Sequence, residues 1–453
     1  MSDDPAIAEA LARARSLVSR GEDEAAKAAY IDVLRRDATH FDALNELGAL
    51  AYASGHRSAA RTSYVQAVRC HPNNPVGHVN LGNLLCEDDD YETAQEHFET
   101  ALQFDPDMLA AHQGLARVLA EMGETIAAEA HFRKGYAGQA IVKRRYRGQQ
   151  PSVPVLLLVS ARGGNIPTHP FLDDRIFEIS ALYAEFHEPS QPLPPYRLVL
   201  NAIGDADLCG EALQRAAEVI ARTDAPVINP PAKILPTGRA DNARRLAGLQ
   251  DVVAPKVALL PRDAIASAPG LTFPLLLRAP GFHTGRHFVR VEQTEDLDTA
   301  IATLPGGDLL VIGYLDARGP DGQARKYRAM IIDGRIYPLH LAISHDWKVH
   351  YFTADMPMDA AYRDEERRYL DDMAAVVGTR GMAALAQIGM TLGLDYGGFD
   401  FGLDAEGRVL LFEANATMVI NPPEPDPMWD YRRAPIGRAI DAAKKMLLSR
   451  VKA

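Results

Sequence analysis

The chain has little cysteine and no long apolar run. Its three cysteines, Cys70, Cys86 and Cys209, show no CxxC spacing, which argues against a disulfide framework and against a structural zinc site. No window approaches the roughly 18 to 20 consecutive apolar residues that span a bilayer. The first residues, MSDDPAIAEALARAR, lack the basic start and apolar core of a secretory signal. We therefore expect a protein of the cytoplasm, without membrane attachment.

Positive charge is also scarce. The chain carries 48 Lys and Arg residues against 60 Asp and Glu residues, a formal net charge of −12, whereas proteins that bind nucleic-acid phosphates normally have a basic footprint. The basic cluster at 143–147 is interpreted as a solvated domain boundary, because short charge runs are common at linkers. We expect no nucleic-acid partner.

The composition supports more than one folded core. Hydrophobic residues make up 47% of the chain and charged residues 24%, an ordinary balance for globular protein. The length of 453 residues exceeds the size at which a single core keeps growing. We predict an α+β multidomain protein with three parts, residues 5–140, 151–235 and 236–450.

A period of 34 residues runs through the first third of the chain. Small residues recur at this spacing, and aromatic residues recur one helical turn after them. A small residue lets two helix backbones approach, and the aromatic ring fills the groove beside it. The recurring positions are Ala26, Ala60, Ala94 and Ala128, then Tyr30, Tyr64, Phe98 and Phe132, with helix-ending prolines at Pro72 and Pro106. The pattern predicts four helix pairs.

The segments NELGALAY and NLGNLLCEDDDYETAQEHFETALQFDP resemble tetratricopeptide repeats. The resemblance implies a concave groove that binds a peptide or protein. The alternative is a purely structural array that dimerises the protein or covers another domain. The histidines of this region show no paired metal spacing and are interpreted as surface or inter-helix residues; they include His40, His56, His71, His78, His97 and His112.

From Pro151 onward, short apolar runs alternate with helical stretches, a pattern typical of an α/β domain. The predicted strands are VPVLLLVS, YRLVLNAIGD and APVINPP, and the predicted helices are DDRIFEISALYAEF and CGEALQRAAEVIART. These segments predict a small parallel-sheet domain of ordinary size.

The next segments predict a helix and then paired strands. ILPTGRADNARRLAGLQDVVAPKVALLP begins as a helix and becomes extended before its proline. FPLLLRAPGFHTGRHFVRV predicts two strands joined by a glycine-containing turn, which lets backbone amides approach phosphates without a Cβ in the way. KYRAMIIDGRIYPLHLAIS predicts two strands around Asp333-Gly334, a dipeptide suited to a tight turn.

The segment LGLDYGGFDFGLDAEGRVLLFEANATMVINPP predicts a strand, a turn and a second strand. Asp400 lies on the first strand, and Glu413 and Asn415 share one face of the second because strand side chains alternate with period two. Magnesium prefers hard oxygen ligands of this kind. The hairpin therefore predicts a magnesium site, against the alternative of an acidic hairpin with ordinary surface pairing.

Residues of roughly 150–440 resemble ATP-grasp ligases such as glutathione synthetase, D-alanine ligase and the ribosomal-protein glutamate ligase. The resemblance implies an α/β pre-ATP-grasp domain followed by a two-lobed ATP-grasp domain, with Mg²⁺ bound by the hairpin residues. It also implies that ATP phosphates are bound by Arg239, by Arg278 and by the turn glycines Gly281 and Gly285. The family usually has lysine where Arg278 lies, but a guanidinium binds phosphate bidentately.

The run DLLVIGYLDARGPDG resembles the hinge strand that binds adenine through backbone groups. The resemblance implies that Tyr314 and Leu315 flank the base and that Asp316 accepts the ribose hydroxyls, although Gly313 replaces the customary glutamate. It further implies that Arg328 neutralises the transferring phosphoryl group and the tetrahedral intermediate.

The implied reaction is an ATP-dependent ligation. A carboxylate attacks the γ-phosphate, and an amine captures the acyl phosphate; the substrate is a small molecule or a peptide recruited by the repeats. The segment from His345 to Tyr351 is interpreted as a substrate contact or as edge-strand packing. Two alternatives remain open, a non-catalytic nucleotide-binding scaffold and a kinase of the same fold.

Overall fold

The computed structural model describes residues 5–281, 286–423 and 426–452. The chain divides into two compact units, residues 1–151 and residues 152–453. No helix in the described part of the chain combines the length and apolarity needed to cross a membrane.

The described residues of the first unit form eight helices and one short strand. The elements are α1 (Pro5–Arg20), α2 (Asp23–Arg36), α3 (Phe41–Ala53), α4 (Arg57–Cys70), α5 (Pro75–Glu87), α6 (Tyr91–Phe104), α7 (Leu109–Glu121), α8 (Thr125–Gly135) and β1 (Ile141–Lys143). The four predicted helix pairs are confirmed, and α4 and α6 each end two residues before the proline that was predicted to stop them.

The repeated small and aromatic positions form the contacts inside and between the helix pairs. Ala60 and Ala94 are completely buried, and so is Phe98. A Cβ atom added at Gly82 would lie 3.0 Å from the Phe98 ring, and one added at Gly114 would overlap that ring. Glycine at these two positions therefore lets α5 and α7 approach the same aromatic side chain of α6.

Two pairs of histidines join helices within consecutive repeats. The Nδ1 atoms of His78 and His97 lie 2.9 Å apart, and those of His112 and His131 lie 2.8 Å apart. The Nε2 atoms of His78 and His112 lie 2.8 and 3.0 Å from the carbonyl oxygens of the two helix-ending prolines. The inter-helix interpretation is confirmed for His78, His97 and His112, whereas His131 was missed although it follows His97 by exactly one repeat.

These pairs predict that the repeat array loses stability in mild acid. Burial lowers the pKa of His97, His112 and His131, and the partner histidine lowers the pKa of His97 and His131 further. The unfolded chain therefore binds more protons than the folded chain below the ordinary histidine pKa of about 6.5. We expect the unfolding midpoint of the array to stay constant from pH 8 to 7 and to fall as the pH drops below 6.5.

Calorimetry of the full chain at each pH measures this effect, and the matched control is the variant His97→Gln/His131→Gln. The control should flatten the pH dependence, because each remaining ring then faces an amide that does not titrate. An equally steep pH dependence in the control would contradict the assignment to the histidine pairs.

The second unit contains the remaining helices and strands. Its helices are α9 (Gly210–Ile220), α10 (Pro231–Ile234), α11 (Arg239–Leu246), α12 (Leu297–Ala302), α13 (Ala360–Asp371), α14 (Met373–Leu392) and α15 (Arg433–Lys452). Its strands are β2 (Val153–Val159), β3 (Phe177–Tyr183), β4 (Leu198–Asn201), β5 (Val227–Ile228), β6 (Val252–Val253), β7 (Val257–Pro261), β8 (Leu275–Arg278), β9 (Phe288–Val291), β10 (Asp308–Gly313), β11 (Ala324–Ile332), β12 (Arg335–Ser344), β13 (Tyr396–Leu403) and β14 (Val409–Asn415).

The first strands of this unit form a parallel sheet in the order β3-β2-β4-β5. The prediction of a helix at DDRIFEISALYAEF is wrong, because residues 177–183 form strand β3 and only 184–186 form a short 3-10 helix. Strand β3 pairs with β2 along its full length and is buried at Phe177, Ile179 and Leu182. A strand covered on both faces is continuously apolar, and its pattern does not distinguish it from a buried helix.

Two further sheets follow. The first is antiparallel with the order β7-β10-β8-β9, and the second has the order β12-β11-β13-β14-β6, in which only β6 pairs in parallel. The predicted hairpins are confirmed, and Asp333 and Gly334 have the positive φ angles, 50° and 75°, that the tight turn requires. The chain thus continues from the helical array into an α/β region with mixed sheets.

Candidate functional site

Four polar residues form a row across the second of these sheets. Arg328 on β11 lies directly opposite His340 on β12 and opposite Asp400 on β13, and Asp400 lies opposite Glu413 on β14. Directly opposed residues project from the same face of a sheet. The strand register shifts immediately after Arg328 and after Asp400. The row therefore lies at an irregularity of the sheet, and β-bulges are frequent next to active sites.

Arg328 and Asp400 form a bidentate ion pair. The Nε and Nη2 atoms of Arg328 donate to the two carboxylate oxygens at 2.6 and 2.8 Å, and the ammonium of Lys326 lies 3.5 Å from the same carboxylate. Burial raises the pKa of Asp400, but the two cations outweigh it and hold the pKa well below its ordinary value. The carboxylate is therefore ionised although only 4% of Asp400 is exposed.

Glu413 is held by two side chains. Arg239 donates from Nη2 at 2.7 Å, and the amide nitrogen of Asn415 donates at 2.9 Å to the same oxygen. The amide oxygen of Asn415 accepts from the backbone and hydroxyl of Thr417 at 3.0 and 2.9 Å. Burial raises the pKa of Glu413, and Arg239 and Arg278 together bring it below its ordinary value.

The two predicted phosphate-binding arginines come from different elements. Arg239 is the first residue of α11, and its backbone N–H donates to Asp207 at 2.9 Å. Arg278 ends strand β8, with its guanidinium 5.5 Å from the centre of the Phe288 ring. Burial and the charge of Arg239 lower the pKa of Arg278 to about 10. The Arg239 and Arg278 guanidinium groups therefore repel each other, and a bound anion would reduce this repulsion.

Most of the predicted site residues line one cavity of about 430 Å³. They come from four strands of the last two sheets, β8, β11, β13 and β14, from the start of α11 and from the chain that follows β10. The predicted residues that line it are Arg239, Arg278, Tyr314, Leu315, Arg328, Asp400, Glu413 and Asn415.

Two of the predicted residues that the structure describes, Gly281 and Asp316, do not line this cavity. Gly281 has the positive φ of 81° expected of a turn glycine but is not part of the lining. Asp316 instead pairs with Arg318, whose Nε donates to it at 2.9 Å, so this carboxylate is committed to a neighbour on its own loop. Gly285 lies outside the described residues.

The segment after β12 forms part of the cavity wall. Trp347, Lys348 and Tyr351 line the cavity, and the Trp347 ring meets Phe288 and Tyr314 edge-on at centroid distances of 5.5 and 6.4 Å. The segment interpreted as a substrate contact therefore borders the same space as the predicted nucleotide-binding residues.

A buried ion pair contacts this part of the cavity wall. Glu366 on α13 is fully buried and accepts from Nη2 and Nε of Arg432 at 2.6 and 3.0 Å. Arg432 also donates to the hydroxyl of Tyr351 at 3.0 Å and lies 3.9 Å from the centre of the Trp429 ring. The pair thus fixes the position of Tyr351.

Sequence reasoning missed two members of the site. Lys326 lies two residues before Arg328 on β11 and lines the cavity, so the period of two would have placed it on the same face. His340 gave no such signal, because its position opposite Arg328 depends on the bulge that follows. Burial and the nearby Arg328 lower the pKa of His340 well below its ordinary value.

Two of the three predicted magnesium ligands have the chemistry that a hard cation requires. In the described residues, no group of three or more His, Cys, Asp or Glu side chains is arranged to hold a metal ion, and the predicted set has two carboxylates and one amide. The facing carboxylates of Asp400 and Glu413 fit magnesium. The oxygen of Asn415 is engaged by Thr417 in this arrangement, and its nitrogen orients Glu413.

The comparison with known protein families gives two matches, both to tetratricopeptide repeats, at residues 63–96 and 85–135. The N-terminal region contains tetratricopeptide repeats. No curated protein matches the chain.

Several solved structures are similar to part of the chain. MamA of Desulfovibrio magneticus RS-1 is 22% identical, with a TM-score of 0.26 and coverage of 28% of this chain and 73% of MamA. A tetratricopeptide repeat protein of Parabacteroides merdae is 20% identical, with a TM-score of 0.27 and coverage of 30% and 54%. PilF of Pseudomonas aeruginosa is 21% identical, with a TM-score of 0.28 and coverage of 30% and 62%.

Proposed function

We propose that the second unit is an ATP-dependent ligase that activates a carboxylate as an acyl phosphate and joins it to an amine. One observation carries the proposal: a single cavity is lined by six cationic side chains and two facing carboxylates. The cations include Arg239, Arg278, Lys326 and Arg328, and the carboxylates are Asp400 and Glu413.

The charge balance of this cavity supports a polyphosphate ligand. The six cations that line the cavity outnumber its two carboxylates, and guanidinium groups bind phosphate oxygens bidentately. A triphosphate would add negative charge beside Arg239 and Arg278, where burial and the charge of Arg239 lower the pKa of Arg278. Apolar side chains of Leu276, Ile312 and Phe412 line the same cavity, as a site for a planar base requires.

Asp400 and Glu413 are the residues that would hold magnesium, with Asn415 beside them. When bound, magnesium would neutralise negative charge on the phosphates. Arg328, which projects from the neighbouring strand, would stabilise the charge that develops on the transferring phosphoryl group.

The proposed reaction has two steps. An oxygen of the substrate carboxylate attacks the γ-phosphorus, and ADP leaves. The amine nitrogen then attacks the carbonyl carbon of the acyl phosphate, inorganic phosphate leaves with one oxygen of the original carboxylate, and the amine loses a proton to solvent. No enzyme side chain becomes covalently attached to the substrate in this sequence.

The repeats supply the second part of the proposal. Tetratricopeptide arrays typically bind a protein or peptide, so we propose that the first unit recruits a protein or peptide partner, which is the carboxylate or amine substrate or carries it.

A non-catalytic scaffold is the competing function, and one observation favours it. Both carboxylates proposed for magnesium are already paired with arginine, Asp400 with Arg328 and Glu413 with Arg239. A site whose charges satisfy one another needs no metal for stability.

Turnover distinguishes the two functions. The wild type and Glu413→Ala would be incubated with ATP, Mg²⁺ and mixed pools of carboxylates, amines and peptides, and phosphate and product mass would be followed together. The matched control is Glu406→Ala, which removes an exposed acid of the same hairpin. A condensed product that is lost in Glu413→Ala and retained in Glu406→Ala supports the ligase; ATP binding without product in any pool supports the scaffold.

Lys348 allows a narrower prediction about the cavity wall. We expect Lys348→Ala to raise the KM for the carboxylate or amine substrate more than the KM for ATP, because Lys348 belongs to the segment after β12 rather than to the phosphate-binding elements. Steady-state kinetics with each substrate varied in turn measures the effect. Lys444→Ala, which removes a partner of Asp173, is the control; equal and small changes in both variants would assign Lys348 to packing.

A further inference from the structure

His340 is a buried polar member of the row on β12. It is 5% exposed, and neither of its ring nitrogens has a hydrogen-bond partner among the described residues. Buried polar atoms are nearly always paired, so the acceptor nitrogen of the neutral ring calls for an N–H donor in another state of the site.

The surroundings of His340 identify the kind of partner. Its ring packs against Tyr351 at a centroid distance of 4.7 Å. Three cations, Arg328, Lys326 and Arg432, and one acid, Asp400, act on it electrostatically. Cations offer N–H donors, and a neutral imidazole offers a lone pair. The missing partner is therefore a donor from one of these cations.

Of these three cations, Arg328 is the one positioned to donate a hydrogen bond to His340. Arg432 is committed to Glu366 and to the Tyr351 hydroxyl. Lys326 lies two residues from Arg328 along β11, whereas Arg328 is directly opposite His340. Arg328 uses Nε and Nη2 on Asp400, and a guanidinium has a third nitrogen with two further N–H groups.

We propose that His340 is a positioning residue that serves as the second acceptor for the Arg328 guanidinium. It holds Arg328 in the row when the oxygens of Asp400 are engaged by other ligands. The proposal rests on the proposed function only for the identity of the ligands that engage Asp400. The hydrogen bond from Arg328 to His340 involves only residues of this chain. In the competing view, His340 is an aromatic filler beneath Tyr351.

A double-mutant cycle without nucleotide tests the acceptor directly. The variants are Asp400→Ala, His340→Phe, the combination of both, and Asp400→Ala/His340→Gln. Phenylalanine keeps a ring against Tyr351 but has no acceptor, whereas glutamine restores one. The readout is the calorimetric transition of the full chain that Asp400→Ala moves.

We expect His340→Phe alone to change the midpoint little and the double variant to unfold roughly 2–4 °C below the sum of the single effects, with partial recovery in Asp400→Ala/His340→Gln. Additive shifts, or no recovery by glutamine, would overturn the proposal. If Asp400→Ala does not fold, Asp400→Asn replaces it in the same cycle, since the amide keeps the shape and removes the charge.

A spectroscopic measurement tests the same contact in the loaded site. Long-range proton–nitrogen spectra report the imidazole nitrogens, and the His340 signal is the one that disappears in His340→Gln. A non-hydrolysable ATP analogue with Mg²⁺ should move one nitrogen of His340 in the direction of hydrogen-bond acceptance and leave unchanged the exposed His56 of the repeat array. Nucleotide binding without this movement would overturn the proposal. Absence of nucleotide binding would instead count against the proposed function, and the mutant cycle would still decide the role of His340.

Discussion

We expect Arg328→Ala to form product about 10²–10³-fold more slowly than the wild type, because a fixed guanidinium in a partly dry site stabilises transition-state charge by that order. The effect should fall on kcat, since the proposed phosphate-binding residues Arg239 and Arg278 remain in the cavity for ground-state binding. Rates with saturating ATP and with the substrates found in the mixed pools measure it.

The control for this prediction is Arg408→Ala. Arg408 pairs with Asp404 on the exposed turn of the β13–β14 hairpin, so its loss should leave the rate unchanged. Calorimetry of both variants separates catalysis from folding. A rate for Arg328→Ala within a few-fold of the control, in a folded protein, would remove Arg328 from the chemical step.

The second large effect concerns stability. Glu366→Ala leaves Arg432 buried without its carboxylate, and removing one partner of a buried ion pair costs about 3–5 kcal/mol. We expect a loss of this size in chemical denaturation of the second unit. The double variant Glu366→Leu/Arg432→Met should lose less than Glu366→Ala, because no charge then remains buried.

Asp364→Ala is the matched control on the same helix. Asp364 pairs with Arg367 at 3.0 Å, and both side chains are more than half exposed, so this pair contributes only about 0–1 kcal/mol. Equal losses for Glu366→Ala and Asp364→Ala would show that the buried pair does not support the cavity wall.

The repeats and the β13–β14 hairpin, which carries the residues proposed for magnesium, could be predicted from sequence because each follows a regular period. A period of 34 places Ala60 and Ala94 at equivalent contacts, and a period of two places Glu413 and Asn415 on one strand face. The orientation of Asn415 could not be predicted, since it depends on the hydroxyl of Thr417 that captures its oxygen.

Three other features could not be predicted from the sequence. Glu366 and Arg432 are 66 residues apart, and neither lies in a motif. Strand β3 was predicted as a helix because burial on both faces removed the alternation that marks a strand. The pairing of Asp316 with Arg318 is a local charge contact that competes with the ribose-binding role implied by the family resemblance.

The most direct test of the account follows oxygen from the substrate to phosphate. The enzyme would be given ATP, Mg²⁺, an amine and a carboxylate labelled with ¹⁸O, and the released phosphate would be analysed by mass spectrometry. Carboxylate activation predicts one ¹⁸O atom in each phosphate formed with product, because inorganic phosphate leaves the acyl phosphate with one oxygen of the original carboxylate. Phosphate without the label, or phosphoryl transfer with no free phosphate, would contradict carboxylate activation at this site.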